Sequence, residues 1–481
     1  MYSYQAVMAR RPEIILRSVG IDYDRFSTGR LSFDYEGMMR EAGYTLDEVR
    51  GIQAETGVGN TPLIELRNIT RLVRSISPPG KGATILVKDE ACNPSGSFKV
   101  RRASVSVYHA KRLGFKGVIA ATSGNYGAAV ASQAAVRGLK CIVVQEAYDS
   151  RGIGQPEIME KARACEAYGA EVVQLSVGPE LFYVFLRLLE ETGYFNASLY
   201  TPFGIAGVET LGAEVVEQVR REYGRNPDAV CITHAGGGNV TGTARGILKT
   251  IAGSARPSRS ARPTVIGVSV DLAGLHMASD SDFNRKSFTT GHTGFGIPFA
   301  TWPDRSDVPR NAARPLRYMD RYVTVTQGEA FYATEMLASL EGLERGPAGN
   351  TSLAAAVAIA REMDGDQIIV VQETEYTGAG KHPTAQLTFA RRNGVEVRRG
   401  NPAGSVPGRS IIIPEHPAQM SVRDLELDRI RASLIRNAVR NSGVSEVTVE
   451  DVRFLAEETR RDDGFVTSVL SDLGVTIAGG G

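Results

Sequence analysis

The chain has 481 residues, 42% of them hydrophobic and 23% charged. That is ordinary globular composition and excludes a disordered or fibrous protein. Lys and Arg total 55 against 54 Asp and Glu, so no global field draws nucleic acid or an anionic membrane, although a local anion pocket stays open. The 52 glycines follow no three-residue period, which excludes a collagen-like helix.

At about 100–200 residues per domain, the length implies two to four domains. Cys92, Cys141, Cys165 and Cys231 form no CxxC pair, and the six histidines form no HxH or HExxH pattern. The expectation is reduced cytosolic thiols and no metal site. No apolar stretch reaches the roughly 18 residues of a membrane span. The first twenty residues have no long apolar core and no small-residue cleavage site, so they read as mature protein rather than a signal peptide.

Residues 1–56 read as a helical lead-in, with helix-like spacing at Asp34–Arg40 and Thr45–Ile52. From Ala83 onward short apolar runs alternate with amphipathic ones. Strands are expected at Ala83–Lys88, Gly117–Ala121, Cys141–Gln145, Glu171–Leu175, Ala229–Thr233, Val265–Val270, Tyr322–Thr326 and Gln367–Gln372. Helices are expected at Asn125–Arg137, Glu157–Tyr168, Pro179–Glu191, Ala206–Arg221 and Val240–Thr250. Nearly continuous apolar strands between amphipathic helices imply parallel sheets covered on both faces, and their number implies two α/β sheets. Gly253–Pro263 is a Pro/Ser/Arg loop, and Asn284–Asp307 is Gly-rich and irregular, a length of loop that needs a functional reason. After Gly400–Pro407, a short strand at Ile411–Pro414 and helices at Asp424–Asn441 and Val449–Arg461 form a C-terminal appendage.

Four strand-to-helix turns carry chemistry. Asn93-Pro-Ser-Gly-Ser-Phe-Lys99-Val-Arg-Arg102 places one lysine at a helix start. The helix N-terminus, Arg101 and Arg102 should disfavour its ammonium form, and a neutral amine is what Schiff-base chemistry requires. A surface lysine at a helix start is the alternative. Thr122-Ser123-Gly124-Asn125-Tyr126-Gly127 follows the strand GVIAA and converges N–H groups and hydroxyls where a carboxylate would sit; a simple helix cap is compatible with that. His234-Ala-Gly236-Gly237-Gly238-Asn239-Val-Thr241-Gly lets backbone wrap a phosphate at a helix start, with a flexible tight turn as the alternative. It has neither dinucleotide spacing nor the GK[ST] of a Walker loop. Tyr376-Thr377-Gly-Ala-Gly-Lys381-His382 follows QIIVVQ; its Gly-Lys is not a P-loop, since Glu375 and His382 stand where Gly and Ser/Thr are needed. Thr377, at a strand's C-terminal end, suits a ring nitrogen.

A lysine turn, a carboxylate turn and a phosphate loop in this order resemble the fold-type II pyridoxal-phosphate enzymes, the tryptophan synthase beta and threonine synthase group. SGSFKVRRA, TSGNYGAAVA, HAGGGNVTGTARG and YTGAGK carry the resemblance, with Gly59-Asn-Thr-Pro-Leu63 and the Glu341-Gly…Pro347-Ala-Gly349 stretch. It spans about residues 57–385. It implies two parallel-sheet α/β domains with the cofactor in the cleft between them: a large cofactor-binding domain from 57–100 and 206–400, a small mobile domain from 101–205, and a C-terminal extension from 401. It implies Lys99 as the Schiff-base lysine and Asn125 on the cofactor's 3′ oxygen. Thr122, Ser123, Gly124 and Asn125 are implied for the substrate carboxylate, Gly236, Gly237, Gly238, Asn239 and Thr241 for the phosphate, and Thr377 for the pyridine nitrogen. Asn239 departs from the commoner all-glycine loop. A hydroxyl partner leaves the ring nitrogen unprotonated more readily than an aspartate does, which makes a weaker electron sink.

A closer resemblance is to the beta-subunit family of 2-amino-4-oxopentanoate thiolase, from ornithine breakdown. GIDYDRF, FDYEGMMREAGYTLDEV, QEAYDSRGIGQPEIMEKARACEAYGAEVVQL and GPELFYVFLRLLEETGYFNASLYTPFGIAGVETLG carry it along most of the chain. It implies a small alpha-subunit partner and the cleavage of 2-amino-4-oxopentanoate with coenzyme A to acetyl-CoA and alanine. Two other readings compete. A β-replacement or elimination enzyme would use the same site with a leaving group and no coenzyme A. A ligand-sensing module would not need the lysine. Cys92 and His234 read as packing residues, Arg256, Arg259 and Arg262 as a solvated loop, and Trp302 as either pocket wall or packing.

Overall fold

The computed structural model describes residues 3–122, 124–149, 151–154, 156–176, 178, 180–253, 262–271, 296–302, 304–376 and 383–478. Two sheets organise them. The smaller has four parallel strands in the order Glu171–Ser176, Lys140–Tyr148, Gly117–Ala121, Phe195–Asn196. The larger has seven, in the order Leu63–Glu65, Thr84–Asp89, Ile368–Glu373, Ala229–Thr233, Thr264–Val270, Arg321–Val325, Arg423–Asp424. Its inner strands are parallel, whereas the first and last are antiparallel to their neighbours. The expectation of parallel sheets therefore holds for the interior of the large sheet. Its two edges are closed by short antiparallel strands, whose three and two residues carry too little apolar pattern to be seen in the sequence.

The apolar runs became strands because both faces are covered. Ile369 and Val371 pack with Leu353, Val357 and Leu337 on one side, while Val230, Val265 and Val370 pack with Leu211, Val215 and Ile247 on the other. Helix Pro202–Tyr223 is capped by the Thr201 hydroxyl, which accepts from Gly204 N, and stops at Gly224 in the left-handed region.

The lead-in forms helices Tyr4–Ala9, Arg11–Val19, Tyr35–Arg40 and Leu46–Ala54. The first two lie on helix Glu180–Thr192 of the small-sheet unit. The C-terminal helices Leu427–Ser442, Val449–Thr459 and Asp463–Asp472 share one core with the large sheet through Leu434, Ile435, Leu455 and Leu470. The expected helix from Asp424 begins at Leu427, because Arg423 and Asp424 pair with Thr324 and Val323. The short strand after the break, Ser410–Ile413, runs parallel to Glu396–Arg399. Among the described residues no helix is long and apolar enough to cross a membrane.

Candidate active site

Three neighbouring strands of the large sheet end on the same edge. Thr84–Asp89 leads to the lysine turn, Ile368–Glu373 to Thr374 and Glu375, and Ala229–Thr233 to the glycine loop. Gly117–Ala121 of the small sheet leads to Thr122 from the other side. Between them lies a cavity lined among others by Lys99, Thr122, Asn125, Ala235, Gly236, Gly237, Gly238 and Asn239. The structure thus brings the lysine turn, the Thr122 turn and the glycine loop to one place, at the carboxyl ends of parallel strands, where α/β ligands bind.

Lys99 is the first residue of helix Lys99–Arg112. The turn before it is held by backbone bonds from Phe98 N to Thr374 O (3.0 Å) and from Tyr376 N to Gly96 O (2.7 Å). Gly96 has φ +69, and a Cβ there would lie 2.8 Å from Tyr376 O, so only glycine fits. The preceding Ser95 also has positive φ, 62°, a strained setting for a residue with a side chain. The Lys99 amine is held down to about 7, chiefly by burial and then by the charges of Lys161 and Arg102, with Glu157 opposing.

The direction and the part played by Arg102 agree with the expectation, whereas burial and Lys161 take the place given to Arg101. Arg101 does not act on Lys99. It turns the other way into a buried network, bonding Glu90 through Nε (2.6 Å) and Nη2 (2.8 Å), and Glu214 through Nη1 and Nη2 (2.8 Å each). Successive helical residues point about 100° apart, so neighbours in sequence reach different surroundings. Arg102 lines the cavity. The second cation beside Lys99 is Lys161, paired with Glu157 one turn earlier in helix Pro156–Ala167. Sequence reading missed it; a Glu/Lys pair at four-residue spacing is ordinarily a solvated pair, and here both members are buried.

The glycine loop turns out to be packed by protein. A Cβ on Gly236 would lie 1.8 Å from Tyr200 Oη, one on Gly237 2.8 Å from Pro315 Cγ, and one on Gly238 2.0 Å from Arg102 Nη2. Gly237 alone of the three has positive φ, +83. Gly238 opens helix Gly238–Ala252, whose first backbone N–H groups and dipole favour an anion at the cavity wall. Asn239 is buried and uses its side chain locally, with Nδ2 toward Thr233 O and Oδ1 accepting from Thr243 Oγ1, both at 3.4 Å. Thr241 supports the loop from below: its hydroxyl donates to Gly237 O (2.8 Å) and accepts from Arg314 N (2.9 Å).

On the opposite wall Gly124 N donates to Thr122 Oγ1 at 3.1 Å, and Asn125 begins helix Asn125–Arg137. Ser123, Thr377, Lys381 and His382 lie outside the described residues, as do Arg256 and Arg259. Arg305 also lines the cavity, and no local pattern announced it; its Nε bonds Asp307 (3.0 Å), and its guanidinium lies 5.1 Å from the Tyr200 ring centre. Glu375 and Tyr200 complete the wall. His234 packs edge-on against Tyr322, 5.1 Å between ring centres, as the packing reading expected. Cys92 departs from that reading: it is exposed, its thiol bonded to Asp89 at 3.2 Å. Arg262 is paired with Asp320. Trp302, 37% exposed, lines a second cavity beside Arg30 and Leu434.

Residues 54–375 match the model of the family described as pyridoxal-phosphate dependent enzymes. A protein described as 2-amino-4-ketopentanoate thiolase beta subunit, from an unknown prokaryotic organism, is 67% identical over 99% of each chain. One of the same description from Acetoanaerobium sticklandii is 65% identical over 98% of each. Among solved structures, a threonine deaminase from T.th. has TM-score 0.51 at 24% identity, covering 69% of this chain and 98% of its own. An O-ureido-L-serine synthase has TM-score 0.51 at 22% identity, covering 70% of this chain and 93% of its own. The last two establish the fold alone. With that fold, the convergent turns and this similarity along its whole length, the chain belongs to the pyridoxal-phosphate dependent enzymes and, within them, to the family of 2-amino-4-ketopentanoate thiolase beta subunits.

Proposed function

We propose that this chain is the cofactor-bearing subunit of an enzyme that cleaves 2-amino-4-oxopentanoate with coenzyme A, giving acetyl-CoA and alanine. The observation that carries the proposal is the Lys99 amine, buried at a helix start and held near neutrality in a cavity whose facing wall is a glycine loop. Similarity along the full chain to relatives described by this activity supports it.

The residues fit pyridoxal phosphate. A poised amine meets an aldehyde, the start of helix Gly238–Ala252 meets an anion, and Asn125 offers an amide to a ring oxygen. In this reading Lys99 holds the cofactor, Gly236, Gly237, Gly238 and Asn239 hold its phosphate by backbone, and Thr377 faces its ring nitrogen. Thr241 serves by fixing the loop through Gly237 O and Arg314 N. Thr122, Ser123, Gly124 and Asn125 take the substrate carboxylate. Bound pyridoxal phosphate supplies the electron sink for carbanion chemistry at the substrate's α and β carbons.

Lys99 then works as a proton carrier. An amine held near pH 7 removes the α-proton without being locked as ammonium. The thiol sulfur bonds to C4 as the C3–C4 bond breaks; the electron pair stays with C3, and the thiol proton is balanced by the proton that C3 gains. Tyr200, Phe98 and Leu181 give the cavity a largely apolar side that limits water there, so a placed group returns the proton to C3. Residues 101–205 form the small unit that brings Thr122 and Lys161 to the cavity, and their closure on the larger unit completes the wall. The relatives' description as beta subunits supports a second subunit as partner, which the family resemblance makes a small one.

The test is product analysis on the cofactor-loaded chain with its partner subunit. The proposal expects acetyl-CoA and alanine in equal amounts, only when both substrates are present, and none from Lys99→Ala. No acetyl-CoA from this substrate, with ammonia and a keto acid released instead from an amino acid that carries a leaving group on its β-carbon, would replace thiolysis by β-elimination.

A further inference from the structure

Apart from the titrating Lys99, Arg102 is the one cavity cation that the protein leaves uncompensated among the described residues. Lys161 is paired with Glu157, Arg305 with Asp307, and Arg101 with Glu90 and Glu214. Arg102 is 2% exposed, yet among the described residues it has no carboxylate partner. Among the described residues its guanidinium makes a single hydrogen bond, from Nη1 to Leu199 O at 3.3 Å, and its buried Nε makes none. The groups that offset its charge are the Tyr200 and Tyr126 hydroxyls, both neutral at ordinary pH, and burial pulls the arginine below its usual value.

A guanidinium cannot shed its proton to escape such a setting. An isolated charge in low dielectric costs several kcal/mol unless an anion or a full set of acceptors meets it. The location identifies the missing partner. Arg102 Nη2 occupies the space that a side chain on Gly238 would fill, beside the first turn of the helix that ends the glycine loop. Its guanidinium also lies over the Phe98 ring, 5.6 Å from the centre, which fixes its plane. Helix N–H groups and a guanidinium fork then converge on one spot.

We propose that Arg102 is a direct ligand of the cofactor's phosphate, adding a full positive charge to a loop that otherwise binds by backbone alone. This makes the site a strict dianion receptor: the phosphate closes the charge that the folded chain leaves open. Lys99 and Arg102, three residues apart on one helix face, hold the two ends of the same molecule, the aldehyde carbon and the phosphate.

The experiment compares apo wild type, Arg102→Gln and Arg102→Lys in titrations with pyridoxal phosphate and with pyridoxal, which lacks the phosphate, followed by protein fluorescence and circular dichroism. Loss of a charged hydrogen bond predicts pyridoxal phosphate affinity about 10- to 100-fold weaker for Arg102→Gln, a smaller loss for Arg102→Lys, and at most a few-fold change for pyridoxal, through the Lys99 amine that Arg102 helps to hold down. Phosphorus NMR on the loaded proteins gives a second readout. The wild-type phosphorus shift should stay constant from about pH 5.5 to 8, as for a bound dianion, and titrate with a pKa near 6 in Arg102→Gln. Equal weakening for both ligands would place Arg102 away from the phosphate and overturn the proposal, and so would unchanged affinity for pyridoxal phosphate. A far-ultraviolet spectrum matching wild type excludes misfolding as the cause, and Arg102→Lys, which keeps the charge, carries the test if Arg102→Gln does not fold. These readouts use no substrate and separate this proposal from the thiolytic one.

Discussion

Arg101 and Arg102 are consecutive in one helix and stand in opposite electrostatic settings: Arg101 is locked between Glu90 and Glu214, and Arg102 faces the cavity with no carboxylate among the described residues. Lys88 and Thr61 join the Arg101 network, the first bonding Glu214 (2.7 Å) and the second Glu90 (2.5 Å). One arginine therefore serves the folded state and the other serves a ligand.

Removing them has opposite consequences for the apo-protein. Arg101→Met strands the buried Glu90 and leaves Glu214 to Lys88, and should cost about 3–5 kcal/mol. Arg102→Met removes a charge that has no partner among the described residues, and should leave apo stability within about 1 kcal/mol of wild type or raise it. Chemical denaturation of the two apo variants checks this. Equal destabilisation would mean that Arg102 has a structural partner.

The Lys99 amine, held down to about 7 by burial, Lys161 and Arg102, sets a pH dependence. Below that value the amine is protonated and unreactive, and above it the neutral form saturates. The rate at which apo-protein captures pyridoxal phosphate should rise about tenfold per pH unit below pH 7 and level off above it. Lys161→Met removes a like charge and should move the levelling point to higher pH. A rate that keeps climbing toward pH 10 would show an ordinary lysine.

Gly237 combines φ +83 with a Cβ position 2.8 Å from Pro315. Gly237→Ala bears the cost of the left-handed backbone, roughly 1–2 kcal/mol, and must also push the loop off Pro315. Pyridoxal phosphate affinity should fall at least tenfold in a fluorescence titration, while Gly253→Ala, at φ −78 on the exposed helix end, should leave it unchanged.

Glu146 lies in the inner strand Lys140–Tyr148 of the small sheet, where burial pushes its carboxyl up to about 7 and, among the described residues, Gly178 N is its one donor, at 3.3 Å. Its folded value exceeds the unfolded one near 4.5, so ionisation opposes folding, and the penalty grows as pH rises from about 4.5 to 7. Glu146→Gln should therefore match wild-type stability at pH 4.5 and exceed it by about 1–3 kcal/mol at pH 8. Thermal melts at the two pH values decide it; equal effects at both would show that the carboxyl is ionised throughout.

Much of this architecture was legible in the sequence. Gly117–Ala121 and Ala229–Thr233 are strands where the apolar runs put them, because a strand covered on both faces needs an unbroken run. The turns at Lys99, Thr122 and Gly236 were legible because small residues between strand and helix have few other uses. Lys161 and Arg305 were not: each owes its place at the cavity to tertiary packing, and its local sequence is that of a surface ion pair. Arg101 and Arg102 looked alike because adjacency in sequence conceals the turn of the helix. Thr241 was legible as a loop residue, but which way its hydroxyl points depends on Arg314, 73 residues away.

The central claim is that Lys99, and not the neighbouring Lys161, holds the cofactor. Both amines line the same cavity, so the two can be told apart directly. The loaded chain is reduced with borohydride, digested, and its pyridoxyl-labelled peptide mapped by mass spectrometry. The account predicts one label, on Lys99, retained in Lys161→Met and lost in Lys99→Ala. A label on Lys161 in the wild-type chain, or one that persists in Lys99→Ala at full occupancy, would contradict it.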